Sequence, residues 1–171
     1  MGEAISQLDE GKLFLEIGFG GAENLRKVAA GKFEEVVGTD TLPIKNFPAC
    51  VSPKIELLRA DRATCFRDGV FDVVAFNPPY LPSDRIDDRA VDGGLHGMEI
   101  PLQFLDSAMR VVKREGKVLI LLSSLSEKEI FSKYCSDNNL FEKKITEKKF
   151  FFETLTVYLV TRQERSTPQR S

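Results

Sequence analysis

Five short apolar runs, each closed by glycine or a polar residue, constrain this 171-residue chain most. They lie at 13–17, 35–39, 55–59, 70–76 and 117–122. Runs of that length bounded by turn signals read as buried strands. Helical signals stand between them. Residues 23–30 form a short helix closed by Gly31, and Leu102, Leu105, Ala108, Met109 and Val112 recur at helical spacing up to a stop at Gly116. Ser126 with Glu129 three residues on reads as a capping box opening a further helix to about 138–139. The last two strands, 141–149 and 155–161, have no crossover helix between them and are expected to pair antiparallel. Strands that alternate with helices and end in a hairpin predict an α/β fold. It is a doubly wound, mostly parallel, seven-stranded sheet with a C-terminal antiparallel hairpin.

Three stretches fall outside that rhythm. Residues 41–53 contain Pro43, Pro48 and Pro53, so little regular helix is expected there. Residues 81–97 form a long polar loop, and a loop of that length inside a compact domain is usually functional or mobile. Residues 163–171 form a polar tail expected to fray, leaving 1–162 as a single domain.

The strand ends carry the chemistry. Open α/β sheets bind ligands beyond the carboxyl ends of their strands. Here those ends hold Glu16 with Gly18 and Gly20, then Asp40, Asp61, and Asn77-Pro78-Pro79-Tyr80. The glycine turn permits close backbone approach by a ligand. It lacks the third glycine of a dinucleotide fingerprint, and there is no phosphate-binding G-x-x-x-x-G-K-[ST] loop. Asp40, roughly twenty residues after the glycines, suits a ribose diol or else is an exposed loop carboxylate. Asp61 suits either an exocyclic purine amine or a helix cap. A nucleoside without phosphate recognition fits these ends, and S-adenosylmethionine is such a ligand.

Asn77-Pro78-Pro79-Tyr80 closes the fourth strand. Asn77 offers an amide carbonyl. The prolines stiffen the turn and lack N–H groups. Tyr80 adds a flat ring and a hydroxyl. Together they suit a planar group bearing NH2, although a plain strand-ending turn uses the same residues.

Composition narrows the setting. With 42% hydrophobic and 29% charged residues, the chain is of the folded, globular kind. Its net charge of -2 offers no global attraction to nucleic acid. No apolar run reaches the length of a membrane span, and Met1 to Lys12 lack a signal-peptide core. Cys50, Cys65 and Cys135 are odd in number and widely spaced. They are expected to be reduced and buried or half-buried in a cytoplasmic protein, and no metal site is expected with His96 as the sole histidine.

The order Glu16-Ile-Gly18-Phe-Gly20, Asp40, Asp61 and Asn77-Pro-Pro-Tyr80 resembles the class I S-adenosylmethionine-dependent methyltransferases that act on planar amide or amine nitrogens. Asp92-Gly93-Gly94-Leu95-His96-Gly97-Met98-Glu99 resembles the glycine-rich segment of the HemK-like protein-glutamine methyltransferases. Lys148 to Leu155 is similar to their short archaeal and eukaryotic branch. The resemblance implies a Rossmann-like methyltransferase sheet and N5-methylation of the glutamine in the Gly-Gly-Gln loop of a class I translation release factor. It assigns Asn77, Pro78 and Tyr80 to catalysis. It places Glu16, Gly18, Gly20, Asp40, Asp61 and Asn77 against S-adenosylmethionine, with S-adenosylhomocysteine as product. It also implies a small zinc-binding activator subunit pairing beside the third strand, where Ile55, Leu57 and Leu58 serve either that edge or the core.

Two departures from the family pattern stand out. Only Met1 to Lys12 precede the first strand, where the family places a segment over the cofactor, so either a truncation or a misassigned start is expected, with weakened cofactor affinity. Phe19, Gly21 and Ala22 replace the usual small residues of the first loop, and Phe19 either crowds the methionine end or packs beneath it.

Two other readings use the same residues. One is an adenine-N6 nucleic-acid methyltransferase acting on a flipped base. Its basic surface would fall to Lys143, Lys144, Lys148 and Lys149, which on an edge hairpin more often protect the edge. The other is a non-catalytic binding module that keeps the fold without the cofactor.

Overall fold

A computed structural model describes residues 1–6, 11–42, 52–88 and 90–163. Among the described residues, nine strands and four helices run in the order α1 (Gly2–Ser6), β1 (Leu13–Ile17), α2 (Glu23–Ala29), β2 (Glu35–Asp40), β3 (Ile55–Arg59), β4 (Phe71–Phe76), β5 (Leu81–Pro82), β6 (Asp92–Gly94), α3 (Glu99–Val111), β7 (Val112–Ser123), α4 (Lys128–Asp137), β8 (Leu140–Lys149) and β9 (Thr154–Arg162). Seven strands form one sheet in the order β3-β2-β1-β4-β7-β9-β8. β3, β2, β1, β4 and β7 are parallel, and β9 runs antiparallel to both β7 and β8. The expected sheet and its hairpin are therefore present.

The central strands are apolar because both sheet faces are covered. One face buries Phe71, Phe76, Leu105 and Phe131 against α3 and α4. The other buries Phe14, Leu25, Val28 and Val36 together with Ala4 and Ile5 of α1. Asp72 fastens the lower end of the sheet. Its carboxylate accepts from the Lys12 and Leu13 N–H groups and from the Lys113 ammonium at 2.6 Å.

The strand order reverses between β1 and β4, and the register fixes what meets there. Ile17 pairs with Phe76 and with Thr39, while Asp40 pairs with Arg59. Gly18 and Asn77 thus leave the sheet side by side, with Asp40 and Asp61 further along the same edge. That is the topological switch point at which doubly wound sheets bind ligands.

Four local readings need correction. The 81–97 stretch is not plain loop. β5 and β6 pair there in parallel and a 3-10 turn covers Leu95–Gly97. The Asp92 carboxylate ties the stretch together by accepting from the Asp87 and Asp88 N–H groups. Gly116 does not end α3 but lies inside β7, where a side chain would strike the Asp72 carbonyl at 2.8 Å. Ser126 is not the N-cap of α4. Glu127 holds that place with no side-chain cap bond, and the Ser126 hydroxyl instead donates to the Tyr80 carbonyl at 2.9 Å. Cys65 is exposed, whereas Cys135 is buried as expected.

The proline-rich 43–51 stretch, Cys50 and the tail from 164 onward lie outside the described residues. Among the described residues, no helix is long and apolar enough to cross a membrane.

Candidate active site

The edge above β1, β2, β3 and β4 opens into a cleft of about 290 Å³. Gly18, Gly20, Asp40, Asp61 and Asn77 all line it. Five of the residues singled out from sequence therefore meet, although they span the first 77 positions of the chain.

Gly20 sits at φ 47°, and nothing lies within 4 Å of where its side chain would be. The turn thus presents bare backbone to the cleft. Asp40 supports it. One carboxylate oxygen accepts from the Gly20 N–H at 3.1 Å and the other from the Leu42 N–H at 2.9 Å. A carboxylate has about four acceptor positions, so capacity for two hydroxyl donors is left. Asp61 is exposed and paired with Arg62 at 3.2 Å. Its backbone carbonyl accepts from the Thr64 N–H and hydroxyl.

Phe19 packs beneath the turn. It is buried, and its ring would touch a side chain at Gly38 of β2 at 2.8 Å. It does not crowd the cleft, whose lining residues do not include it.

Glu16 is buried under the glycine turn rather than lining the cleft. The Asn24 amide donates to its Oε1 at 2.8 Å, while its Oε2 is buried without a hydrogen-bond partner. Burial pushes its carboxyl up to about 7, against the opposing Asn24 bond. The folded state therefore holds a proton here that an unfolded chain would release near pH 4.5. Stability from this group is fully present below pH 4.5 and is lost as pH rises through about 7. At one pKa unit per 1.36 kcal/mol, the loss is on the order of 3 kcal/mol. Glu16→Gln should flatten the decline in melting temperature across that window, as thermal denaturation from pH 5 to pH 8 would record. A decline equally steep in both proteins would contradict this.

The Asn77-Pro78-Pro79-Tyr80 turn divides the edge. Asn77 and Pro79 face the cleft. Pro78 is buried, and Tyr80 is half-buried against the apolar layer of the α1 and α2 face. Burial, with the Glu153 charge adding, holds the Tyr80 hydroxyl above its ordinary value, so the phenol stays neutral. On the far side the glycine-rich segment clamps the turn. A side chain at Gly93 would meet the Tyr80 Cα at 2.7 Å, and one at Gly97 would collide with the Tyr80 carbonyl oxygen. His96, at φ 56°, hydrogen-bonds through Nδ1 to the Glu127 carboxylate at 2.5 Å.

Phe104 is the main lining residue that sequence reasoning missed. It comes from α3 and its ring reaches within 3.9 Å of where a Gly18 side chain would be. It also packs on Phe76 at 5.8 Å between ring centroids. The signal was an aromatic residue one position off the helix's Leu102, Leu105, Ala108 and Met109 core stripe. Ala90, from the stretch read as loop, lines the cleft too.

No family model matches the chain. A Methanocaldococcus jannaschii protein, provisionally named protein N5-glutamine methyltransferase, is 36% identical over 132 residues, covering 70% of this chain. The chain spans 66% of the length of that relative. Among solved structures, a chain of the E. cuniculi Mtq2–Trm112 complex, described as responsible for methylation of the eRF1 termination factor, matches with TM-score 0.78 and 22% identity, over 94% of this chain and 92% of that one. A TehB-like SAM-dependent methyltransferase from Corynebacterium glutamicum matches with TM-score 0.60 and 17% identity, over 95% and 88%. The chain therefore has the class I methyltransferase fold. By sequence it is similar to that Methanocaldococcus jannaschii protein.

Proposed function

We propose that this chain is an S-adenosylmethionine-dependent methyltransferase that modifies the side-chain nitrogen of a protein glutamine, that of the Gly-Gly-Gln loop of a class I release factor. The observation that carries the reading is the register that sets Asn77 beside Gly18. The acceptor turn and the donor cleft thereby share one opening.

The residues fit the cofactor. Asp40 retains acceptor capacity for a ribose diol, and Asp61 is an exposed acceptor for an adenine amine. Gly18 and Gly20 leave room for the methionine portion, and the orphaned Oε2 of Glu16 lies beneath that loop. When bound, S-adenosylmethionine supplies an electrophilic methyl group on a sulfonium.

The chain's own residues act on the acceptor. An amide nitrogen is a poor nucleophile because its lone pair is delocalised. The Asn77 side-chain carbonyl and the Pro78 backbone carbonyl accept its two N–H bonds. They aim the nitrogen and support the positive charge that develops on it. The Tyr80 ring holds the amide plane. Most of the acceleration then comes from positioning. Once alkylated, the amide nitrogen is strongly acidic and gives one of its two protons to water, so the transfer itself requires no general base.

The partner proposed is a small zinc-binding activator on the β3 edge. β3 is the last strand of the sheet, and Leu58 on it is exposed while Ile55 and Leu57 pack inward. Incubation with methyl-labelled S-adenosylmethionine, a release factor and adenine-containing oligonucleotides tests the acceptor. Label in the release factor is expected. Label in the oligonucleotides would assign the turn to a flipped base instead.

A further inference from the structure

Three loops stand on the acceptor side of Tyr80, and hydrogen bonds stitch them into one surface. The Glu127 N–H donates to the His96 carbonyl, and the Glu127 carboxylate holds the His96 ring. Ser124 and Thr154 exchange bonds of 2.9 Å, the Ser124 N–H to the Thr154 carbonyl and the Thr154 N–H to the Ser124 hydroxyl. The Ser123 hydroxyl donates to the Glu153 carboxylate at 2.6 Å. Ser126 ties the group to the Tyr80 carbonyl. The β8–β9 turn is thereby fixed beside the catalytic turn, because Ser123 at the end of β7 pairs with Leu155 at the start of β9.

Each loop presents an apolar side chain to solvent. Leu95 is 60% exposed, Leu125 45%, Phe150 48%, Phe151 93% and Phe152 84%. The Phe151 and Phe152 rings stack edge to face at 4.7 Å, and the Lys148 ammonium lies over the Phe150 ring at 5.2 Å. Large apolar side chains gathered in this way mark contact surfaces. Aromatic residues on a rigid base are the usual anchors of protein interfaces.

We propose that these loops are the docking rim for the polypeptide that presents the acceptor glutamine. The inference rests on the glutamine reading above. It follows from reach, because a side chain delivered to Asn77 past Tyr80 carries its flanking backbone across the loops that border Tyr80. An aromatic tip with Lys148 and Lys149 at its base suits an apolar segment with acidic neighbours. The chain's net charge of -2, and the engagement of Lys144 by Glu147 at 3.1 Å, argue against a nucleic-acid strand on the same tip.

The test is a Phe151→Ser/Phe152→Ser variant. Both side chains lie almost wholly in solvent, so the melting temperature should hold. KM for intact release factor should rise about tenfold or more, with kcat within about twofold and cofactor affinity unchanged. KM for a short Gly-Gly-Gln peptide, which ends before the tip, should not move. An unchanged KM for the intact factor overturns the inference. So does an equal rise for factor and peptide, which would place the effect at the reacting centre. A loss of RNA-oligonucleotide binding with unchanged KM for the factor assigns the tip to nucleic acid and overturns it as well. Absence of wild-type turnover on the release factor refutes the glutamine reading and this inference together. Normal wild-type turnover with an unaltered variant removes the inference alone.

Discussion

Asn77→Ala should lower kcat by about a hundredfold or more, the usual cost of removing one polar group aimed at developing charge. Asn77 is exposed at the end of β4, while its neighbour Phe76 is fully buried. Removing the amide thus takes nothing from the core, and the melting temperature should stay near wild type. Affinity for S-adenosylhomocysteine, read by calorimetry, should fall only modestly, because Asn77 is one of several residues lining the cleft. Unchanged turnover would refute the role of Asn77. A collapse of cofactor affinity would move that role from the acceptor to the donor.

Gly97→Ala should have the second largest effect. Gly97 adopts φ 67°, and its missing side chain is what lets it lie against the Tyr80 carbonyl, with the Ser126 hydroxyl 3.0 Å from the same position. A methyl group there faces backbone on a turn stiffened by two prolines, which has little room to yield. Overpacking of this kind costs typically 1–3 kcal/mol. The Tyr80 turn would shift, so kcat should fall by at least about tenfold, since misplacement of a catalytic group by an ångström is expensive. Cofactor affinity should hold, because Gly97 does not line the cleft. Equal losses in kcat and cofactor affinity would show that the segment supports the whole edge rather than the acceptor turn.

Much of this was legible because the sheet is buried on both faces. β1, β2 and β4 are apolar runs that turn polar or glycine where the sheet ends, so their boundaries fall within a residue of expectation. The switch point then follows from topology, and with it the meeting of Gly18, Asp40, Asp61 and Asn77. What stayed hidden depended on contacts distant in sequence. Ser126 has the spacing of a cap, yet its hydroxyl goes to Tyr80, forty-six residues away. Gly116 looks like a helix stop, yet it serves the close approach of β7 to Asp72. The 81–97 stretch reads as loop because its two strands are only two and three residues long, and the Asp92 carboxylate that orders them acts through backbone amides. Phe104 was hidden by its helix, whose core stripe it does not share.

The central claim is that the Asn77 turn directs a methyl group onto a protein glutamine. Tandem mass spectrometry of a class I release factor tests it most directly. The factor would be incubated with this chain and S-adenosylmethionine, with and without the proposed activator subunit. One methyl group on the side-chain nitrogen of the Gly-Gly-Gln glutamine, absent with Asn77→Ala, is the predicted result. An unmodified glutamine under conditions where calorimetry shows the cofactor bound would contradict it.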